Sequence, residues 1–164
     1  MTNVIISFGG NQGDIFGLID RALVEINKRV GTIVSVSPLY ESEPWGFEAE
    51  TNFINGVVEV ETNIPANEVL CIALEIESEL GRMRTGIGKG YSSRPMDLDI
   101  IDYGGEEVCS PSLVLPHPRM QLRKFVLLPL KDICPSWVHP VLDMDVEKLI
   151  DVCEDNSRIK KVRN

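Results

Sequence analysis

The sequence lacks the features of a membrane-embedded or exported protein. None of its 164 residues belongs to an apolar run near the length of about 20 that a membrane-spanning helix needs. The longest such run near the end, 126–128, stops at a proline. The first residues have no basic segment and too short an apolar stretch for a signal peptide. These absences predict a cytoplasmic protein that does not bind membranes.

Cysteine pairs are also missing. The four cysteines lie far apart, with no C-x-x-C pair and no histidine at zinc-ligand spacing. They are Cys71, Cys109, Cys134 and Cys153. Four reduced, mostly buried thiols are the favoured interpretation, and two scattered disulfides stay open as the alternative.

Basic residues are scarce: 16 Lys and Arg against 25 Asp and Glu give a net charge of −9. This balance argues against a nucleic-acid partner, because phosphate backbones require a basic surface. Residues 82–131 are the exception, with eight basic and five acidic residues and a net charge of +3. A basic region in an acidic protein suits a small polyanion better than a long one.

Hydrophobic periodicity predicts an α+β fold with a ferredoxin-like βαββαβ core, in which helices cover an antiparallel sheet on one face. The predicted elements are a strand at Val4–Phe8, a helix capped by Asp14 and ended by Gly31, strands at Thr32–Tyr40 and Asn52–Glu61, a helix from Pro65 to Gly81, and a strand at Met96–Asp102. Short helices are expected around 119–122, 129–134 and 145–153. Without repeats or linkers, residues 1–164 are interpreted as one domain.

The sharpest local signal is a D-x-D pattern in the last predicted strand of the core. Alternation along a strand projects Asp97 and Asp99 to one side while Leu98 and Ile100 face the core. Paired carboxylates repel unless a cation lies between them, and Mg²⁺ shared with substrate phosphates is a common solution. By the same alternation Asp102 is expected on the opposite face. An ordinary solvated strand is the alternative.

A polar loop predicted at 82–94 precedes these carboxylates and contains four cations and no acids. Arginine matches phosphate oxygens, and glycines at 86, 88 and 90 would let the loop close as a lid. A solvent-exposed connection is equally consistent with this composition. The loop is not a Walker A motif, because Gly90 follows Lys89 where Ser or Thr is required.

Aromatic and amide side chains predict a site for a flat heterocycle. Phe53 and Asn55 share a strand face, so a ring to stack on lies beside a group that donates and accepts hydrogen bonds. Trp45 follows a proline in the preceding loop, and His117 is held between two prolines. The alternative for each of these residues is a structural role, either packing in the core or hydrogen bonding to the backbone.

Together these segments resemble 6-hydroxymethyl-7,8-dihydropterin pyrophosphokinases of folate biosynthesis, up to about residue 135. The matching segments are Val4–Asn11, Tyr40–Gly46, Phe53–Asn55, Glu77–Arg84, Arg94–Ile100, Pro116–Met120 and Arg123–Leu130. Two positions depart from the family pattern: Gly10 stands where Ser is usual, and Phe53 where Tyr is frequent.

The resemblance implies an enzyme that uses ATP and a pterin alcohol, with two Mg²⁺ ions held by Asp97 and Asp99. A monomer is expected. It implies catalytic roles for these aspartates and for Arg82, Arg84 and Arg94. It implies ATP contacts from Glu77, Arg84, Arg94, Ile100, His117 and Arg123. It implies pterin contacts from Ser42, Glu43, Trp45, Phe53, Asn55, Tyr91, Asp97 and Phe125. Two alternative functions stay open. The first is another Mg-dependent transferase, such as a D-x-D glycosyltransferase, and the second is a non-catalytic nucleotide-binding module.

Overall fold

The structure is a computed structural model that describes residues 1–43, 52–85 and 96–163, except for the side chains of 82–85. Its elements are β1 Thr2–Gly10, α1 Ile15–Arg29, β2 Thr32–Val36, β3 Leu39–Ser42, β4 Phe53–Thr62, α2 Ala66–Thr85, β5 Asp97–Tyr103, β6 Val108–Cys109, β7 Val114–Leu115, a 3-10 helix at Met120–Leu122, α3 Lys124–Ile133, α4 Val146–Val152 and β8 Ile159–Arg163. The α+β prediction with a ferredoxin-like core is confirmed.

The main sheet is antiparallel, with the order β5-β1-β4-β3-β8, and β2 pairs with β4. Strand β1 is central: all of its residues pair with β4, and those from Val4 to Gly9 also pair with β5. Gly9 lies opposite Asn55 and Asp97, and Ser7 lies opposite Asp99. Residues paired in this way share a face of the sheet. Side chains from three strands therefore meet on one surface.

Helices cover both faces of this sheet. On the first, α1 and α2 pack against alternate residues of β1, including Val4, Ile6 and Phe8. On the second, α3 and α4 pack against Ile5 and its neighbours. The prediction of helices on one face therefore holds for α1 and α2, and the C-terminal elements cover the other face. Burial of large aliphatic side chains, worth about 1.5–3 kcal/mol each, stabilises both layers.

The N-terminus of α1 agrees with the sequence signal. Asp14 accepts a hydrogen bond from the Gly17 backbone N–H at 3.2 Å, as an N-cap does. The helix ends before Gly31, where an added Cβ would lie 2.0 Å from the carbonyl oxygen of Glu61. This glycine lets the chain turn tightly against β4.

Three element boundaries differ from the predictions. The strand predicted at Thr32–Tyr40 is divided, because Ser37 and Pro38 lie between β2 and β3 and the Ser37 hydroxyl accepts from the Val57 N–H at 2.9 Å. Helix α2 passes through Gly81 to Thr85, since an interior glycine costs a helix only about 1 kcal/mol. Helix α3 begins at 124 rather than 129, and tertiary packing buries its internal proline.

The prediction that Asp102 lies on the face opposite Asp97 and Asp99 is wrong. The pairing of β1 with β5 shifts register between Ile5 and Ile6, so that Asp102 pairs with Ile5 on the α3 face. Such a bulge adds one residue to a strand and breaks the two-residue alternation. Asp102 is 3% exposed, burial raises the pKa of its carboxyl group, and it accepts from the Gly105 N–H at 3.1 Å.

The cysteines are all free, but not all are buried. Cys71 and Cys109 are exposed, whereas Cys134 and Cys153 are half-buried, which corrects the expectation of mostly buried thiols. Burial, reinforced by Glu59, raises the pKa of the Cys134 thiol to about 12. Within the described residues, no helix combines the length and apolar character required to cross a membrane.

Candidate active site

An open cleft of about 440 Å³ lies on the α3 face, where the N-terminus of α3 leaves the sheet uncovered. It is bounded by strands β1, β3, β4 and β5 and by the segment leading into α3. The lining residues are Ser7, Phe8, Gly9, Ser42, Phe53, Asn55, Asp97, Asp99, Arg119, Leu122, Arg123 and Phe125. Sheet pairing brings together four of these groups of residues, and the segment that leads into α3 adds the fifth.

One half of the cleft is aromatic and amide-bearing. Phe53 and Asn55 alternate along β4 and point to the α3 face, and Phe125 enters from the first turn of α3. Both phenylalanine residues are half-buried and line the cleft, and Phe125 also packs against the core under α3 and α4. This half suits a flat ring that carries hydrogen-bonding groups.

Gly9 lets the Asn55 amide occupy this half. An added Cβ at Gly9 would lie 2.0 Å from Asn55 Nδ2 and 2.7 Å from the Ile54 carbonyl oxygen. Neither approach is sterically allowed, so the amide lies over Gly9 only because that residue has no side chain. The glycine therefore shapes the cleft floor as much as the asparagine does.

The other half is charged. Asp97 is exposed, and Asp99 is half-exposed with its Oδ2 3.9 Å from an Arg123 guanidinium nitrogen. The same guanidinium group lies 5.8 Å from the centre of the Phe125 ring, within cation–π range. Arg123 thus connects the carboxylate half of the cleft to the aromatic half.

The donor set of this half fits a hard divalent cation. Asp97 and Asp99 both present carboxylate oxygens, the ligand type that Mg²⁺ prefers. In the described part of the chain, no group of three or more His, Cys, Asp or Glu side chains converges on one point. A metal held by this pair would therefore take its other oxygens from water or from a ligand, as Mg²⁺ usually does at phosphate sites.

His117 lies beside the cleft rather than in its lining. Its backbone N–H donates to the Ile101 carbonyl at 2.9 Å, and its Nδ1 accepts from the Arg119 N–H at 3.1 Å. Burial lowers the pKa of the imidazole, and the attraction of Asp99 is opposed by the charges of Arg123 and Arg119. The neutral ring therefore carries its proton on Nε2, where it can act as a donor.

Two candidate ATP ligands do not line this cleft. Ile100 is buried on the opposite face, with the core residues under α1 and α2. Glu77 is 8% exposed, and its Oε2 accepts from the Leu98 N–H at 2.7 Å. That amide belongs to β5 at the edge of the sheet, so Glu77 fixes the strand that carries Asp97 and Asp99.

Several candidate residues lie outside the described residues. They are Trp45, Tyr91 and Arg94, together with Phe47 and Lys89 of the same segments. For Arg82 and Arg84 only the backbone is described, and it belongs to α2, so the prediction that a loop begins at 82 is wrong. Glu43 is described and exposed, next to the cleft residue Ser42.

Sequence reasoning assigned no site role to five residues that line the cleft: Ser7, Phe8, Gly9, Arg119 and Leu122. Ser7 and Gly9 alternate with apolar residues in β1, but that pattern shows a cleft only once β1 is placed between β4 and β5. Arg119 and Leu122 belong to the turn before α3. The signal available for a site role was that both residues lie close to Arg123 in the sequence.

Comparison with known proteins agrees with this geometry. Residues 5–135 match the sequence profile of the family described as 7,8-dihydro-6-hydroxymethylpterin-pyrophosphokinase. A 2-amino-4-hydroxy-6-hydroxymethyldihydropteridine pyrophosphokinase of Porphyromonas gingivalis is 43% identical over 141 residues, which cover 85% of this chain and 95% of that protein. The Bacillus subtilis protein of the same name is 37% identical over 136 residues, covering 82% and 80%.

The fold is shared with solved structures. The Plasmodium falciparum HPPK-DHPS structure superposes with a TM-score of 0.69 at 15% identity, over 92% of this chain and 44% of that longer one. A similarity at this identity shows the fold alone, whereas the profile and the two bacterial relatives cover most of the sequence. The chain therefore belongs to the 7,8-dihydro-6-hydroxymethylpterin-pyrophosphokinase family.

Proposed function

We propose that the chain transfers diphosphate from ATP to the hydroxymethyl group of 6-hydroxymethyl-7,8-dihydropterin and releases AMP, in folate biosynthesis. The observation that carries the proposal is one cleft in which an aromatic and amide half adjoins a half with paired carboxylates and an arginine. Membership of the family gives the reaction class, an ATP-dependent pyrophosphokinase.

The aromatic half would hold the pterin. Phe53 and Phe125 offer ring faces for stacking, and the Asn55 amide both donates and accepts, as the edge of a pterin does. Ser42 borders this half, and Glu43 follows it on the exposed rim. We assign Trp45 and Tyr91 to the same ligand on the strength of the family resemblance.

The charged half would hold the triphosphate. Asp97 and Asp99, on one face of β5, are the proposed ligands of two Mg²⁺ ions shared with the ATP phosphates. Bound magnesium would neutralise phosphate charge and stabilise the transferring group. Arg123 provides a positive charge beside Asp99, with 3.9 Å between a guanidinium nitrogen and Asp99 Oδ2.

In the proposed transfer, the hydroxymethyl oxygen forms a bond to the β-phosphorus. The bond from that phosphorus to the oxygen that joins it to the α-phosphorus breaks, AMP leaves with the electron pair, and the hydroxyl proton passes to solvent water. The residues of the chain position both substrates and stabilise charge where it develops. We propose Arg123 and the Nε2–H of His117 as donors to the phosphates, with Arg82, Arg84 and Arg94 acting beside them. Glu77 and Ile100 stay proposed as ATP contacts from outside the cleft lining.

We also propose that residues 1–164 form one domain and act as a cytoplasmic monomer that binds no nucleic acid. The cleft lining comes from one chain, and the chain covers 95% of a relative's length. Four free thiols suit a reducing compartment. The net charge of −9 disfavours a phosphate backbone as partner.

Purified protein incubated with ATP, Mg²⁺ and the pterin alcohol is expected to form AMP and the pterin diphosphate in equal amounts, measured by chromatography. Omitting the pterin or chelating the metal should remove the AMP signal. AMP that forms without pterin would indicate a nucleotide hydrolase. Folded protein that binds both ligands but forms no AMP would be a non-catalytic binding module.

Replacing Gly9 with alanine is expected to weaken pterin binding, because the new methyl group displaces the Asn55 amide and presses on the Ile54 carbonyl. Loss of the amide contacts raises the KM for the pterin roughly tenfold, and the clash lowers the free energy of unfolding by about 1–3 kcal/mol. Steady-state kinetics and thermal denaturation measure the two effects.

The double variant Gly9→Ala/Asn55→Ala is the control, since it removes the side-chain part of the clash and leaves the contact with the Ile54 carbonyl. It should recover part of the lost stability without recovering pterin affinity. Equal stability of the single and double variants would show that Asn55 does not depend on Gly9.

A further inference from the structure

The first turn of α3 carries two residues of the cleft, Arg123 and Phe125, on either side of Lys124. The N-terminal N–H groups of a helix have no partners within the helix and need acceptors from elsewhere. Arg123 occupies the N-cap position in an extended conformation, and its side chain makes no capping hydrogen bond. The turn that places both residues therefore depends on an acceptor from another part of the chain.

Asp155 is that acceptor. Its Oδ2 accepts from the Lys124 N–H at 3.1 Å, across 31 positions of sequence. Its Oδ1 accepts from the Ser157 N–H at 2.8 Å and from the Ser157 hydroxyl. Asp155 is 8% exposed, so little water competes for these contacts. The carboxylate is thus held at both oxygens, between α3 and the segment that leads into β8.

The charge of Asp155 also suits its position. A helix N-terminus carries partial positive charge, which a carboxylate complements. Burial raises the pKa of Asp155, but hydrogen bonds from Ser157 and from the Lys124 backbone outweigh burial and leave the pKa below its usual value. The group is therefore ionised at neutral pH, with its charge directed at the turn that carries Arg123 and Phe125.

The segment after Asp155 is anchored on the other side of the cleft. Strand β8 pairs with β3, where Ile159 lies opposite the cleft residue Ser42. Lys161 reinforces the pairing, since its Nζ lies 4.0 Å from Asp132 of α3 and 5.8 Å from the Tyr40 ring centre. The C-terminal segment thus links the two structures that bound the aromatic half, although it lies beyond the residues 5–135 that match the family profile.

We propose that Asp155 is a positioning residue for the reaction, fixing the first turn of α3 so that Arg123 and Phe125 face the triphosphate and the pterin. The inference rests on the proposed function, because its effect is on the affinity for those two substrates. Asp155 does not line the cleft, so its effect is exerted through α3. A residue with a purely structural role would lower stability without changing affinity selectively.

The test compares Asp155→Ala with a matched loss of a helix cap. Asp145 caps α4 from the N-cap position of that helix, accepting from the Lys148 N–H at 2.9 Å. Like Asp155 it is a carboxylate that accepts from a helix N-terminal N–H, but α4 contributes no residue to the cleft. Both alanine variants are expected to lower the melting temperature. Only Asp155→Ala should also raise the KM values for pterin and ATP, by about 3- to 10-fold, the range that a lost cap allows.

Asp155→Asn should restore most of the affinity, because an amide oxygen can still accept from the Lys124 N–H. Asp155→Glu keeps the charge but is one methylene too long for both contacts, so its KM values should lie between those of the wild type and Asp155→Ala. If Asp155→Ala yields no folded protein, the KM values of Asp155→Asn and Asp155→Glu test the positioning role instead.

Three outcomes would overturn the inference: unchanged KM values in Asp155→Ala, an equal rise in Asp145→Ala, or no difference between Asp155→Asn and Asp155→Glu. Each presupposes that the wild-type protein forms AMP. A folded wild-type protein that forms none would overturn the proposed function, and this inference with it. An active wild type whose affinities do not depend on Asp155 would overturn the inference alone.

Discussion

Asp97→Ala and Asp99→Ala are each expected to lower kcat by about 10³-fold or more, with the fold retained. The physical reason is that either change removes half of the carboxylate pair proposed to hold magnesium against the ATP phosphates. Asp97 is exposed and Asp99 half-exposed, so neither loss opens a cavity in the core. AMP formation measures the rate, and circular dichroism with thermal melting measures the fold.

Asp20→Ala is the matched control, because it removes an exposed carboxylate from α1, on the other face of the sheet. It should leave kcat within twofold of the wild-type value, as surface substitutions away from such a site usually do. If Asp97→Ala and Asp99→Ala give insoluble protein while Asp20→Ala does not, the pair has a structural role. Full turnover in either aspartate variant would remove that residue from the metal site.

Arg123→Ala is expected to lower kcat/KM by about 10²-fold. The guanidinium group lies 3.9 Å from Asp99 and 5.8 Å from the Phe125 ring centre, so its loss affects both halves of the cleft. The larger part of this loss should appear in kcat, because a cation in this position stabilises the transition state most, where phosphate charge is moving to the leaving group. Steady-state kinetics with each substrate varied in turn separates kcat from the two KM values.

The variant Arg123→Lys separates the effect of the positive charge of Arg123 from the effect of its guanidinium geometry. It retains the positive charge but loses the planar fork that matches phosphate oxygens, so it should recover only part of the lost rate. Arg21→Ala, an exposed change on α1, is the control for loss of a cation in general. Wild-type kcat in Arg123→Ala would show that this arginine does not stabilise the transferring group.

Local sequence patterns correctly predicted the structural features that depend on residues close together in the chain. The helical repeat of apolar residues and the Asp14 cap predicted α1, because side chains three and four apart share a helix face. Alternation along a strand correctly placed Asp97 and Asp99 on one face of β5, with Leu98 on the other. The resemblance of matching segments predicted the family, which the sequence profile confirms.

Predictions failed where distant segments decide the conformation. The bulge that brings Asp102 to the same face as Asp97 arises from the pairing of β1 with β5, which alternation within β5 does not encode. The extension of α2 beyond Gly81 reflects packing that outweighs a small intrinsic penalty. The contact of the Glu77 carboxylate with the backbone of β5 likewise depends on how α2 lies against the sheet edge, which neighbouring residues do not encode.

By itself the sequence determined the reactive groups of this protein: the paired carboxylates, the basic region around them, and the stacking and amide residues of β4. Each of these groups can be predicted from the sequence because the geometry of residues close in the chain fixes which side chains point to the same side. Only the tertiary structure decided that Gly9 forms the cleft floor under Asn55 and that Asp155 caps the helix carrying Arg123. Those arrangements depend on strand order and helix docking, which join residues far apart in the chain through the burial of two separate cores.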